Sequence, residues 1–542
     1  MRPSKVTQAA GCLLVSALLV QPFGVAAAAN AADTANVAGP VQQGLPQHVE
    51  LNFPQQVNKL YAASNMQPLW QNEEATRAFL VQLNELALAG INPRFTQWVK
   101  EISNTHLSEM ARDKLLSDAM LGYLGYVQNV GANGSVWLYG NNKMARLPAP
   151  PPERVLAWLK AKDQNRLTAF IDSLAPMNPQ YPKMQKALHT LLEEQHEKGW
   201  PQLVTSTTLR PGEYSPMVIG LAQILRLTGD LPADYQDNGD DLYNATLVSA
   251  VESFQARHGL ATDGVIGPRT RFWLNQDPQA RATLLALNMQ RLRLLPAEKT
   301  NGIWVNIPDY RLDYFRDGKK VLDSKVIVGR PARKTPFMHS QLNNVVLNPP
   351  WSVPTKLIRE DIIPKVKQNP SYLAQHGYVI LSDWTENAYE ISPYDIDWSM
   401  MSAKNFPYRL KQAPGDGNSL GRYKFNMPNS EAIYLHDTPS KGLFGKDIRA
   451  LSSGCVRVNK AAELADMLLG EVGWNQSRIE NSLNKGKTQY VTIRNRVPVQ
   501  IYYLSSWVGD DGQVQYRTDI YDYDKVPRPS AVVQRNLRQL LN

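Results

Sequence analysis

Between residues 48 and 200 apolar side chains recur at three- and four-residue intervals, the spacing of helices with one buried stripe. Residues 75–88 place Phe79, Leu80, Leu83, Leu86 and Leu88 near one stripe before Gly90 stops it, and 107–127 carry another. Pro148-Ala149-Pro150-Pro151-Pro152 is a stiff connector, and 200–212 marks a second boundary. Three shorter helices follow, over 214–228, 245–258 and 268–274, with Gly229, Gly259 and the turn Thr262-Asp263-Gly264 between them. An amphipathic helix over 281–295 ends at Pro296.

From Gly302 onward the period drops to two. Residues 303–307, 310–316 and 320–328 read as strands, with the turn Asp317-Gly318 between the last two. Residues 345–347 lead to Asn348-Pro349-Pro350-Trp351, after which 355–413 reads as an insertion. It has a helix near 357–366 and aromatics Trp384, Tyr389, Tyr394 and Trp398 expected on its surface. Strands resume at 422–425 and 431–435, Asn459 is placed to cap a helix over 460–469, and 490–494, 499–503 and 514–521 are late strands. The predicted class is multidomain α+β: an all-α N-terminal scaffold, a three-helix module and a β-rich C-terminal domain with a helical insertion. Boundaries fall at 1–30 (export signal), 31–46 (leader), 47–208 (scaffold), 209–277 (three-helix module), 278–300 (linking helix), 301–525 (β-rich domain) and 526–542 (C-terminal helix).

The export signal rests on Arg2 and Lys5, an apolar run from 9 to 25, and alanines at 26–29 and 31–32 that offer cleavage sites. No later stretch reaches the roughly twenty apolar residues of a membrane span, so a periplasmic location is expected. Composition is globular, with 43% hydrophobic and 20% charged residues. The formal charge of +9, less two if Arg2 and Lys5 are removed, suits an anionic polymer. There is no basic run interleaved with aromatics, so nucleic acid is not an expected partner. Metal-ligand clusters and glycine-rich phosphate loops are absent from the sequence, and no cofactor is expected.

Once Cys12 leaves with the signal, one cysteine remains, Cys455 in Ser452-Ser453-Gly454-Cys455-Val456-Arg457. A lone thiol in an exported protein makes no intrachain disulfide, so chemistry is the reason to keep it. A nucleophilic cysteine needs a base, and His436 ends the apolar strand Ile433-Tyr434-Leu435-His436. The intervening segment is long enough, and rich enough in turn formers, to return the chain. Asp437 joins this catalytic group through a nearby backbone carbonyl rather than its carboxylate, because neighbouring strand residues point apart. The Gly454 and Cys455 amides are natural oxyanion donors. Tyr434 faces the same side as His436 and reads either as core or as a substrate-binding hydroxyl. Arg457 points with Cys455 and either holds a substrate carboxylate or pairs with Asp437 or Asp447. Ser452 and Ser453 either contact substrate or shape the turn.

Two resemblances follow. Ala250-Val251-Glu252-Ser253-Phe254-Gln255 with His258-Gly259-Leu260, Asp263-Gly264, Ile266-Gly267 and Thr270 resembles a three-helix peptidoglycan-binding domain. His436 with Ser452-x-Gly454-Cys455-Val456-Arg457 resembles the signature of L,D-transpeptidases, with Ser453 where many members carry a second histidine. Val326-Ile327-Val328-Gly329-Arg330, Asn348-Pro349-Pro350-Trp351 and Asn418-Ser419-Leu420-Gly421 extend the likeness to the long periplasmic subgroup. The resemblance implies a cysteine acyltransferase that joins peptidoglycan stem peptides by 3→3 crosslinks through a thioester. Trp351 and Asn418 are then further substrate-binding residues, carbapenems covalent inhibitors, other cell-wall synthases partners, and 355–413 a lid. A stem-trimming cysteine peptidase and a non-catalytic wall-binding scaffold are the alternatives.

Overall fold

The computed structural model describes residues 45–46, 49–140, 144–197, 199–236, 239–402 and 405–542. The export signal and nearly all of the leader lie outside these residues. The protein is α+β: helices dominate up to Arg291, and a β-rich domain follows.

The N-terminal stripes form the helices Glu73–Leu88 and Glu109–Trp137, the second ending ten residues beyond its predicted apolar pattern. Asn72 and Ser108 cap them through their side chains. The helix Pro278–Arg291 is buried along nearly its whole length and packs on Gln180–Glu197, so it is an element of the helical core rather than a free link. One continuous apolar core runs from these helices into the β-rich domain. The C-terminal helix Ala531–Leu541 returns to pack on Glu73–Leu88. The three-helix module, Met217–Leu227, Ala245–Arg257 and Pro268–Leu274, has a core of its own. There His258 is fully buried and stacks on Phe254 at 3.9 Å, a structural role, while Gln255 accepts the amides of Asp263 and Gly264 and pins the turn.

The β-rich domain opens with β1 (Gly302–Asn306), β2 (Arg311–Arg316), β3 (Lys319–Gly329) and β4 (Met338–Leu347). β5 (Trp351–Ser352) leads into the insertion, which contributes β6 (Tyr378–Leu381), β7 (Glu390–Ile391) and β8 (Arg409–Gln412). Then come β9 (Tyr423–Asn426), β10 (Leu435–His436), β11 (Ala450–Ser452), β12 (Val456–Val458), β13 (Gln489–Tyr502), β14 (Ser506–Val508) and β15 (Val514–Tyr516). Nine strands make one sheet in the order β11-β3-β12-β10-β9-β4-β13-β1-β2. Because β3 serves β2 with its first half and β12 and β11 with its second, the sheet closes on itself.

Several elements differ from the sequence reading. The two late strands are one long strand, β13, with a bulge between Thr492 and Val497. The strand at 431–435 shrinks to two residues, since Ala432 takes a φ of 53° and turns the chain just before it. The helix Ala461–Gly470 has no side-chain cap from Asn459; instead Ser324 Oγ accepts the Lys460 amide. The insertion is not simply helical. It joins a four-stranded sheet, β5-β8-β6-β7, to the helical run 355–368, with a separate apolar core. Trp384, Tyr389 and Tyr394 are exposed as expected, but Trp398 is buried and stacks on Phe406.

Where the helices meet the β-rich domain, Arg291 is fully buried. Its guanidinium donates to Asp524 Oδ1 at 2.6 Å, to the carbonyls of Leu138 at 3.0 and Tyr523 at 2.9 Å, and stacks over Tyr139. Removing one partner of a buried ion pair strands the other charge, at a cost of about 3–5 kcal/mol. Arg291→Ala is therefore expected to lower the thermal unfolding midpoint by several degrees, with Arg291→Met/Asp524→Leu recovering most of the loss. An unchanged midpoint in the single variant would show that this junction does not limit stability.

Candidate active site

The site is built from one face of three adjacent strands. Parallel pairing of β10 with β12 sets Leu435 opposite Val456 and His436 opposite Arg457; antiparallel β9 sets Lys424 opposite His436. Alternate residues share a face, so Leu435, Phe425, Val456 and Val458 fill the fully buried core side. Lys424, His436 and Arg457 form a row on the other side. One step further back the Val456 amide donates to the Tyr434 carbonyl at 3.2 Å, which brings Cys455 beside Tyr434 on that same face. Cys455 and His436, nineteen positions apart in sequence, are thus diagonal neighbours across one strand pair.

The loop carrying Cys455 is held by its own polar atoms. Ser452 Oγ donates to the Cys455 carbonyl at 2.6 Å and accepts the Gly454 amide at 3.1 Å. Thr335, fully buried, donates to the Gly454 carbonyl at 2.7 Å. Gly454 has φ +125°, a conformation that L side chains rarely adopt. The Gly454 amide is therefore not a free oxyanion donor, contrary to the sequence reading; of the two amides proposed, that of Cys455 remains. Ser452 shapes the turn. Ser453 is exposed and accepts from Arg333, whose guanidinium also binds Glu360 at 2.5 Å and Asp361 at 2.5 and 3.0 Å on the insertion's first helical run.

Nδ1 of His436 lies 2.5 Å from the Asp437 carbonyl oxygen, so Nδ1 carries the proton and Nε2 is left as the basic nitrogen. The Asp437 carboxylate turns elsewhere, accepting the Arg422 amide at 2.9 Å and pairing with Lys441. It fits tightly against Gly421, where a Cβ would come within 2.4 Å of Asp437 Oδ2. The backbone carbonyl, not the acid, is the orienter. Asn418 does not reach the site, contrary to expectation: it is buried, and its amide is spent on the carbonyls of Gln412 and Ala413 and the Leu420 amide. Trp351 does reach it, lying near the Tyr434 hydroxyl, which in turn is beside the Cys455 thiol.

Sγ of Cys455 is 3.8 Å from the Ala432 carbonyl oxygen, and no hydrogen bond joins it to the His436 ring. Burial pushes the thiol pKa up, against the opposing pull of Tyr434, Lys424 and Arg457. His436 is pushed down to about 3, first by burial and then by Arg457 and Lys424, against the Asp437 hydrogen bond. A neutral thiol thus rests beside a neutral imidazole. Asp437 pairs with Lys441 and Asp447 with Arg269, so neither acid is the partner of Arg457. Among the described residues Arg457 has no ion-pair partner, and its buried Nε has no hydrogen bond. Lys424 lies 4.3 Å over the Tyr434 ring, also without a carboxylate.

Lys424 escaped the sequence reading. Its signal was there: one long cation between Tyr423 and Phe425, in a strand whose apolar residues face the core. Among the described residues no three His, Cys, Asp or Glu side chains gather as a metal site would require.

Residues 300–501 match the YkuD family's L,D-transpeptidase catalytic domain, 55–188 match a scaffold domain, and 222–274 match a peptidoglycan binding domain. A protein of Haemophilus influenzae named "Putative L,D-transpeptidase" is 36% identical over 479 residues, spanning 88% of this chain and 79% of that protein. Among solved structures, an L,D-transpeptidase from Xylanimonas cellulosilytica is 17% identical, covering 56% of this chain and all of that one at a TM-score of 0.16. The Ldtfm–avibactam carbamoyl enzyme is 13% identical, covering 39% and 51% at a TM-score of 0.18. Those two scores are too low to add to the assignment, which rests on the sequence matches. With Cys455 and His436 on one sheet face inside the matched domain, and a relative alike over most of both chains, this protein belongs to the L,D-transpeptidase family.

Proposed function

We propose that the protein forms 3→3 crosslinks between peptidoglycan stem peptides outside the inner membrane, through a thioester on Cys455. The observation that carries this reading is the shared face of Cys455, His436 and two cations without acidic partners. His436 Nε2 takes the Sγ proton as sulfur attacks the carbonyl of the third residue of a tetrapeptide stem. The C–S bond forms, the C–N bond to the terminal D-alanine breaks, and Nε2 returns the proton to the departing nitrogen. The side-chain amine of a second stem then attacks the thioester, with His436 again as base, and the thiol is regenerated. The Cys455 amide is the donor for the oxyanion, and Tyr434 and Arg457 hold the stem.

The insertion acts as the lid that excludes water from the thioester. Its support is a separate core, a π-helical turn at Ile358–Ile362 and the ion pairs of Arg333, which tie that turn to the residue two before Cys455. With water as acceptor the same chemistry gives a trimmed stem, the carboxypeptidase alternative. The three-helix module would hold the enzyme on its polymer. Carbapenems, as acyl-donor mimics, should acylate Cys455, and other cell-wall synthases are candidate partners.

Intact-mass analysis with disaccharide-tetrapeptides is expected to show a Cys455 acyl-enzyme and crosslinked dimers, both lost in Cys455→Ala. A carbapenem adduct that survives that substitution would falsify the assignment. Arg333→Gln is expected to raise the share of hydrolysed stems at the expense of dimers; an unaltered product ratio removes the lid from the account. For pH, burial holds the folded thiol above its ordinary value of about 8.5, and the two cations hold it down. Iodoacetamide labelling of Cys455 should therefore have its midpoint above that value, moved higher still in Lys424→Gln and Arg457→Gln. Because His436 stays neutral to about pH 3, its charging should cause no fall in kcat/KM for acylation between pH 7 and 5. An inflection near pH 6.5 that vanishes in His436→Gln would contradict that account.

A further inference from the structure

Away from the catalytic row, the insertion presents a firmly held aromatic ring to solvent. Of six large exposed aromatic side chains among the described residues, three fall within 384–394: Trp384, Tyr389 and Tyr394. Trp384 is 59% exposed, in the loop joining β6 to β7. Hydrogen bonds pin that loop. Asp383 accepts the Thr385 amide at 2.7 Å and the Thr385 hydroxyl at 2.6 Å, and Ser382 and Tyr389 close the loop's neck with two more. The Arg409 guanidinium lies over the indole, 5.2 Å from its centre, and donates to Ser352 Oγ at 2.8 Å. Strand register sets Arg409 opposite Leu381 and Lys411 opposite Ser352. These four share the face turned away from the insertion's core, into which Leu410 and Ile380 point.

The surroundings of the ring decide what covers it. A contiguous apolar patch marks a protein interface. Trp384 instead stands over Arg409, with Lys411 and Ser352 on the same sheet face, and all three are at least partly open to solvent. A ring face with hydrogen-bonding groups at its margin matches a sugar. The C–H bonds of a pyranose meet the negative π face, and its hydroxyls meet the polar groups. Position agrees with this chemistry. Ser352 follows Trp351, which lies near the Tyr434 hydroxyl, so β5 connects the ring's surroundings to the site. On the transpeptidase reading, on which this inference rests, sulfur attacks the third residue of a stem carried on a glycan. Three extended residues span about 10 Å, so the sugar lies off the catalytic face when that carbonyl is at sulfur. We propose that Trp384, backed by Arg409, is a saccharide platform that binds the glycan carrying the donor stem. The enzyme thereby distinguishes a stem on the polymer from a free peptide. Trp384 is a specificity-determining residue and takes no part in the covalent steps.

The test uses the full-length protein and two donors, a disaccharide-tetrapeptide and the same tetrapeptide without its sugars. The rate of Cys455 thioester formation is read by intact mass. Wild type is expected to favour the sugar-bearing donor by about tenfold in kcat/KM, the upper scale of one aromatic stacking contact. Trp384→Ala should abolish that preference by raising KM for the disaccharide donor, while the free peptide reacts as in wild type. Trp384→Phe should keep most of it. Equal kcat/KM for the two donors in wild type overturns the platform and leaves the transpeptidase reading standing. A preference that survives in Trp384→Ala overturns it too, by placing the sugar contact elsewhere. So does an equal loss for both donors in that variant, which would mark the ring as part of the insertion's closure or of a protein interface. If neither donor gives a thioester in wild type, the transpeptidase reading fails and the platform with it. The wild-type comparison decides even if a variant does not fold.

Discussion

The parallel pairing of two very short strands makes this site. β10 has two residues and β12 three, and the segment between them wanders through a 3₁₀ turn and β11 before coming back. So few ladder bonds do not fix a catalytic geometry by themselves. The work is shared with side chains around the loop: Ser452 closes the turn onto Cys455, Thr335 holds the Gly454 carbonyl, and Tyr521 donates to Gly329 and accepts the Thr335 amide. The sulfur's position thus depends on its own turn and on two segments distant in sequence, 329–335 and Tyr521, joined by neutral hydrogen bonds.

The electrostatics of the pocket follow from the same sheet. Three strands put three basic side chains in a row, and the acids nearby are committed to other partners. The cations and burial together keep His436 in its neutral, proton-accepting form; burial raises the thiol while the cations and Tyr434 lower it. The resting pair is therefore not an ion pair waiting for substrate.

The insertion is joined to this centre at two points. Trp351, in the strand that leads into it, lies near the Tyr434 hydroxyl, and Glu360 and Asp361, in its first helical run, pair with Arg333. The insertion has its own apolar core, and its ties to the centre include polar contacts. Polar contacts of this kind exchange with water at modest cost, as the lid proposed above would require.

Much of this was legible in the chain. Periodicity separated helices from strands, and the lone cysteine, the strand-end histidine and the motif around them named the family. The carbonyl orienter followed from alternation within a strand. Lys424, the occupied Gly454 amide, the distant role of Asn418 and the burial of Trp398 did not, because each depends on what a residue meets across the fold. Alternation tells which residues share a face of one strand. It does not tell which strands become neighbours, because register is set by long-range hydrogen bonds and packing. The sequence by itself thus determined the family, the fold class and the candidate pair of thiol and imidazole. Only the tertiary structure decided which cations stand beside them and which polar groups were already taken, since both follow from pairing segments far apart along the chain.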